Sequence, residues 1–321
     1  MNYDIIGDIH GHADALKALL AEMGYRSHGG AWRHSNRTAV FVGDFIDRGP
    51  RQVEAVDVVR RMVDARSAEA ILGNHEFNAI AWYLPDPNQP GEYLRPHHSA
   101  KYGSKNFEQH KAFLDEVIGT PMHKEIIEWF LTLPLWLELD GIRAVHACWH
   151  KPFMEYLAPK LADGNRLTRE LMGEACREPA NEQEKDSPEP SIFKAVEALT
   201  KGIEIPLPDP HRFVDKDGHS RRRVRTRWWD RDANSYWKSA MLDDVAREAL
   251  PEDQIPDHVR IGHDGGAPVF IGHYWLTGTP RLLTDTVACL DYSIAKGGQL
   301  VAYRWEGEPL LDSSKFFWVG K

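Results

Sequence analysis

Two carboxylates and a guanidinium lie within five residues of one another in Gly43-Asp44-Phe45-Ile46-Asp47-Arg48-Gly49. Such a set offers a metal ligand in Asp44, a carboxylate to orient a catalytic histidine in Asp47, and a phosphate partner in Arg48. Asp8 and His10, between Gly7 and Gly11, are two residues apart. On an extended strand end they point to the same side and make a pair of metal ligands. Gly73-Asn74-His75-Glu76 adds a neutral oxygen ligand, Asn74, and a candidate proton donor, His75. His146 and His273 are two further candidate ligands, each at the end of an apolar run. Carboxylate, imidazole and amide donors together suit Mn, Fe or Zn better than Ca, and the lack of thiolates argues against a structural zinc site. Taken singly, each cluster has an everyday explanation as a turn or helix cap. Five successive strand ends of the same kind make accident a poor explanation.

Elements that would position these groups can be read from the spacing. Tyr3 to Ile6, Ala39 to Val42 and Ala70 to Leu72 read as buried strands, each ending at glycine and a polar cluster. Asp14 caps a helix carried by Leu16, Leu19, Leu20 and Met23, and Pro50 opens a second carried by Val53, Val56, Val59 and Val63. Strand, helix, strand, helix is the order of an α/β sandwich, in which ligands sit at the carboxyl ends of the strands. Helices over 104–118 and 122–131 follow a surface loop at 85–106, where His97 and His98 read as solvated residues. Leu135 to Leu139 and Ile142 to Val145 form a hairpin through Asp140-Gly141. Ala267 to Ile271, Val287 to Asp291 and Gln299 to Arg304 are the last strands. Gly262-His263 repeats the dipeptide of Gly272-His273 without an apolar strand before it, so His263 is set aside.

The chain has 321 residues, enough for a substantial core, and a formal charge of -9 that disfavours nonspecific nucleic-acid binding. Cys148, Cys176 and Cys289 are few, odd in number and far apart, as in a reducing compartment. The start, Met1-Asn2-Tyr3-Asp4, has no room for a signal peptide before the first strand, and no apolar run is long enough for a membrane span. These features predict a cytoplasmic protein with no membrane partner and no specific nucleic-acid partner. Residues 151–256 differ in character and read as an insertion or cap, with a core in 1–150 and 257–310. Within the insertion, Glu178 to Asp186 is acidic and predicted to be mobile. Arg221 to Arg227 is a basic run that reads as a hairpin edge, and Trp228-Trp229 as packing.

In order and content, the clusters Gly7 to Gly11, Gly43 to Gly49, Gly73 to Glu76, His146-Ala147 and Gly272-His273 resemble the PPP-type phosphoprotein phosphatases within the calcineurin-like metallophosphoesterases. Cys289-Leu290-Asp291 and Lys296 to Leu300 also look like that family's last strands. The resemblance implies one domain over 1–321, a β-sandwich flanked by helices in four layers, α/β/β/α. It implies two divalent ions, most readily Mn: Asp8 and His10 on the first, Asn74, His146 and His273 on the second, Asp44 between them. His75 and Asp47 would form an acid dyad, and Arg48 would bind phosphate with a second arginine, Arg231 or, in reserve, Arg227. The implied activity is direct hydrolysis of phosphomonoesters by a metal-activated water, with phosphoproteins or small phosphoesters as substrates. Diadenosine tetraphosphate hydrolases resemble the chain through the same motifs. Their usual counterpart of Asp47 is not acidic and their third motif ends in Asp, so Asp47 and Glu76 lean the reading towards phosphoprotein phosphatases.

Overall fold

Period-two alternation along short apolar strands decides how the layers stack. The computed structural model describes residues 1–214 and 218–320. In chain order, β1 (Tyr3–Ile6), α1 (Ala13–Glu22), the ribbon β2 (Arg26–His28) and β3 (Ala31–Arg33), β4 (Thr38–Phe41), α2 (Gln52–Asp64), β5 (Ala68–Ala70) and α3 (Asn74–Tyr83) come first. A loop leads to α4 (Gly103–Val117) and α5 (Pro121–Phe130), then to the hairpin β6 (Trp136–Leu139) and β7 (Ile142–Val145). The middle holds α6 (Lys151–Leu157), α7 (Arg169–Ala175), α8 (Glu182–Asp186) and α9 (Ile192–Lys201). Short pieces follow: β8 (Glu204–Pro206), β9 (Phe213–Val214), β10 (Ser220–Arg221), β11 (Arg223–Arg225), α10 (Tyr236–Ser239) and α11 (Asp244–Arg247). The chain closes with β12 (Val269–Ile271), β13 (Val287–Cys289), β14 (Asp291–Tyr292), β15 (Gln299–Trp305) and β16 (Phe316–Gly320).

Two sheets result. One runs β14-β15-β1-β4-β5, with β16 also on β15, and its β1, β4 and β5 are parallel. The other runs β13-β12-β7-β6, with β13, β12 and β7 parallel. Ile5, Val40 and Val42 of the first sheet share a core with Ala144, Phe270 and Ala288 of the second. Their neighbours in sequence, Ile6, Phe41, Val145, Ile271 and Cys289, belong to the outer core with Leu16 and Leu20 of α1, Val59 of α2, Leu157 of α6 and Leu199 of α9. Side chains that alternate between two cores in this way require helix, sheet, sheet, helix layering, the expected fold.

The middle region departs from expectation in two respects. The acidic stretch expected to be mobile holds helix α8, and its Glu182 and Asp186 pair with Arg223 of β11 at 2.8 and 2.6 Å. The basic run is a hairpin edge, β11 on β8, so the acidic and basic segments neutralise each other. Packing changes character near Ile203, not at Lys151: Met154, Met172, Val196 and Trp228 belong to the main core, whereas Ile205, Val224, Leu250 and Ile255 form a small one of their own. Among the described residues no helix is long and apolar enough to cross a membrane.

Candidate active site

Each cluster follows the carboxyl end of a parallel strand, and the stacking of the two sheets makes those ends converge. Asp8 and His10 follow β1, Asp44 follows β4, and Asn74 and His75 open α3 after β5; His146 follows β7 and His273 follows β12. The approach is close enough to exclude side chains at two positions. A Cβ on Gly43 (φ +97°) would lie 2.6 Å from Gly73 Cα, and one on Gly272 would lie 2.0 Å from Asp8 Oδ1. His10, Asp44, Asp47, Arg48 and His273 all have positive φ, between 46° and 77°. Non-glycine residues are held there only where surrounding structure over-determines them, and such strain clusters at functional sites.

The candidate ligands are buried together. Asp44 lies between them: Oδ2 is 3.8 Å from His10 Nε2 and Oδ1 is 3.3 Å from His146 Nε2. Asn74 Oδ1 is 3.1 Å from His146 Nε2 and 2.8 Å from His273 Nδ1. Asp8 Oδ2 accepts the backbone N–H of His273 at 3.0 Å. His10 Nδ1 meets the Ile46 carbonyl at 3.0 Å and His146 Nδ1 the Val42 carbonyl at 2.6 Å. A carbonyl only accepts, so each Nδ1 carries the proton and each Nε2 turns a lone pair to the cluster, the tautomer a metal needs. Asp8 Oδ1, His10 Nε2 and His273 Nε2 are buried without a hydrogen-bond partner. Buried polar atoms are seldom left so. These residues fit a pair of divalent cations sharing Asp44.

Electrostatics agree with that fit. Burial, then Asp291 and Asp44, push the Asp8 carboxyl well above its usual range. Burial also pushes Asp44 upward, but His146 and then His75 outweigh it and hold Asp44 well below the usual range. Burial and the neighbouring His75 depress His10 to about 4. Burial lowers His146, but Asp44 and then Asp8 outweigh it and raise the imidazole to about 10. Carboxylates and imidazoles held this close share protons that bound cations would displace.

Glu76 ties the loops together. Its Oε2 accepts the backbone N–H groups of Asp44 (2.8 Å) and Gly73 (3.1 Å), and Oε1 that of Phe45 (2.8 Å). Gly73 is the N-cap of α3 and Glu76 its third residue, so one carboxylate closes the helix start and anchors the Asp44 loop. Asp291 does the same at the last strands, accepting from Trp275 N (2.7 Å) and Ser293 N (2.9 Å).

His75 Nδ1 lies 2.5 Å from Asp47 Oδ2, as the predicted dyad requires, and His75 Nε2 is 3.9 Å from Asp44 Oδ2. Burial pushes Asp47 up, yet His110 and then His75 overcome it and bring Asp47 to about 2. Burial lowers His75, but Asp44 and Asp47 outweigh it and raise the imidazole. His110, not singled out in the sequence, donates to the same Asp47 oxygen at 2.8 Å. Only its place on the inner face of α4 hints at it.

The arginines divide. Arg48 is exposed beside the cluster. Arg231 is not brought to the cluster: its Nε–H donates to the His263 carbonyl. It lines a separate cleft of about 570 Å³ with Trp149, Arg227 and Arg260, to which none of the candidate ligands belongs. Arg227, the reserve, spends its Nε–H (3.1 Å) and Nη2–H on the Lys238 carbonyl. Arg225 is the arginine near the ligands: its charge, after burial, depresses His273, and its guanidinium lies 5.9 Å from the Tyr274 ring. In the sequence it was one of five arginines in a row of seven residues; in the fold it also pairs with Glu204 at 3.1 Å, and its nearness to His273 and Tyr274 singles it out. His263, set aside, lies away from the candidate ligands in the Arg231 cleft, and His97 is not solvated but stacked between Trp82 and Tyr93.

A family model described as calcineurin-like phosphoesterase matches residues 1–187, more than half of the chain. An asymmetrical bis(5'-nucleosyl)-tetraphosphatase PrpE of Oceanobacillus iheyensis is 33% identical over 161 residues, covering 50% of this chain and 60% of that protein. The enzyme of the same name from Bacillus velezensis is 43% identical over 85 residues, covering 26% of this chain and 34% of that protein. The chain thus spans 60% or less of the length of these curated relatives. Among solved structures, a cold-active protein-tyrosine phosphatase of a psychrophilic Shewanella species is 16% identical, with a TM-score of 0.47, covering 99% of this chain and 80% of that one. The chain belongs to the calcineurin-like phosphoesterase family, whose members use metal ions.

Proposed function

We propose, from membership of that metallophosphoesterase family, that the chain hydrolyses phosphomonoesters with poor leaving groups, phosphoserine and phosphothreonine among them. The observation that carries this reading is the buried His75–Asp47 contact beside the ligand cluster. An alkoxide departs only if it is given a proton, whereas a departing phosphate or nucleotide is already a stable anion. A buried acid dyad is therefore worth most to an ester of an alcohol. Divalent cations, when bound, supply a water of lowered pKa and positive charge for the phosphoryl oxygens. Asp8, His10, Asp44, Asn74, His146 and His273 would hold them, and manganese matches the donor set. Asp47 holds His75 through Nδ1, leaving Nε2 to face the departing oxygen as proton donor. Arg48 and Arg225 flank the cluster as phosphate partners. We read the chain as one domain, with the small unit around Ile205 and Val224 as a cap that delivers Arg225.

The names of the relatives favour a second reading, hydrolysis of dinucleoside tetraphosphates. A panel of phosphoserine peptides, phenyl phosphate and diadenosine tetraphosphate on manganese-loaded protein separates the two. Turnover of the tetraphosphate alone would refute the phosphomonoester reading. Location in the cytoplasm is part of the same proposal.

A further inference from the structure

The acid dyad has a third member that nothing in the motif order announces. We propose that His110 is a positioning residue for the reaction: by donating Nδ1–H to Asp47 Oδ2, it fixes the carboxylate that aligns His75. The inference rests on the acid role proposed for His75.

His110 projects from α4 and is fully buried. Its Nδ1 is 2.8 Å from Asp47 Oδ2, the same oxygen that lies 2.5 Å from His75 Nδ1. An ionised carboxylate accepts only, so both imidazoles donate to it and the three side chains form a His–Asp–His chain. Asp47 Oδ1 has no partner, and Gln52 is taken up by the Asp47 backbone N–H and the Gly49 carbonyl. Two imidazole protons thus bond a carboxylate that has no exposure to solvent. A single bond to one oxygen would let Asp47 swing about it, and His75 with it. The second donor, reaching the same oxygen from another helix, removes that freedom.

A purely space-filling role explains the residue poorly. His110 Nε2 is buried without a partner, so the imidazole brings an unsatisfied nitrogen into the core and makes one hydrogen bond in exchange. An apolar side chain would fill the volume without that penalty. The arrangement is also braced. Arg95, mostly buried, donates to Gln109, the residue beside His110, at 2.6 Å, and its charge reaches both His110 and Asp47. The His110 ring sits 6.3 Å from that of His75 and 6.5 Å from that of Trp82, inside a packed wall.

The test compares His110→Leu, which has no donor, with His110→Asn, whose amide nitrogen falls near the position of Nδ1. Both are measured on manganese-loaded protein with phenyl phosphate and p-nitrophenyl phosphate, which differ little in shape but much in leaving-group quality. The expected result for His110→Leu is a loss in kcat of about tenfold to a hundredfold on phenyl phosphate, by analogy with partners that orient ligands from behind. The loss on p-nitrophenyl phosphate should be at most about threefold, with KM and manganese content unchanged. His110→Asn should recover most of the phenyl phosphate rate. Equal losses on both substrates, equal losses in both variants, or no loss would overturn the proposal. If His110→Leu fails to fold, His110→Gln, whose donor is one bond further out, takes its place under the same criteria. His75→Asn is run beside them. Should its loss be independent of the leaving group, the acid reading itself fails; should it depend on the leaving group while His110→Leu does not, only the present inference falls.

Discussion

Replacing Glu76 with Gln tests whether one carboxylate joins the metal cluster to the fold. Glu76 is fully buried and accepts from four backbone N–H groups: Oε2 takes Asp44 (2.8 Å) and Gly73 (3.1 Å), and Oε1 takes Phe45 (2.8 Å) and Ile46 (3.4 Å). An amide keeps one acceptor oxygen and turns an NH₂ towards the other pair, setting donors against donors. Two backbone groups lose their acceptor, each at about 1–3 kcal/mol, so the expected loss of stability is about 2–6 kcal/mol. Whichever pair is orphaned, Asp44 with Gly73 or Phe45 with Ile46, it lies in or against the Asp44 loop, so the loop shifts and manganese affinity should fall about 10–100-fold, as for other residues that orient ligands from behind. Urea denaturation with and without manganese measures the first quantity and metal titration the second. Glu76→Asp separates charge from reach: it keeps the carboxylate but, one methylene shorter, cannot span both loops, and should lose part of each. A Glu76→Gln protein within about 1 kcal/mol of the parent and with full metal affinity would refute the reasoning.

Three further outcomes follow from the geometry. Asp44→Asn should lose more than half of the bound metal and at least about a hundredfold in turnover, since a shared ligand outranks an outer partner, whereas His75→Asn should keep its metal; elemental analysis beside steady-state kinetics checks both. Arg225→Ala should raise KM for phenyl phosphate about tenfold or more, the worth of a charge-assisted hydrogen bond, while Arg231→Ala, whose side chain is committed to the His263 carbonyl, should change it less than about twofold. Asp47 is depressed to about 2 in the folded chain, against about 3.9 in an unfolded one, so its contribution of about 2–3 kcal/mol is present above pH 4 and fades as pH falls towards 2. Denaturation of metal-free protein should therefore show the gap between the parent and Asp47→Asn closing over that range; a gap constant with pH would show that Asp47 is not the ionised partner.

What was legible in the sequence is what local rules write there. A buried parallel strand needs an apolar run, and its carboxyl end must stop at residues able to turn sharply, so Gly7, Gly43, Gly73 and Gly272 mark the ligands beside them. Contacts made between helices at long range carry no such mark. Asp47 and His110 are 63 residues apart, and His110 is one of two polar residues, with Asn106, on the buried face of α4, which does not single it out. Arg225 and Arg231 read alike until β11 pairs with β8 and the Arg231 side chain docks on the 262–265 turn. The acidic stretch near Glu182 looked unable to fold because its partner, Arg223, lies 41 residues on; neither run is self-sufficient, and each supplies countercharge to the other. The same division applies to function. Ligands that hold cations would serve the hydrolysis of any P–O bond alike, so the six candidates cannot discriminate between substrates. Discrimination has to come from groups that meet the leaving oxygen or the far end of the substrate; in the proposed reading these are His75, with Asp47 and His110 behind it, and Arg225. If the wall formed by α4 exists to hold a proton donor in place, the rate advantage it brings must grow as the leaving group worsens. That slope, not the identity of the metal, is the property that separates an esterase of alcohols from a hydrolase of phosphate anhydrides.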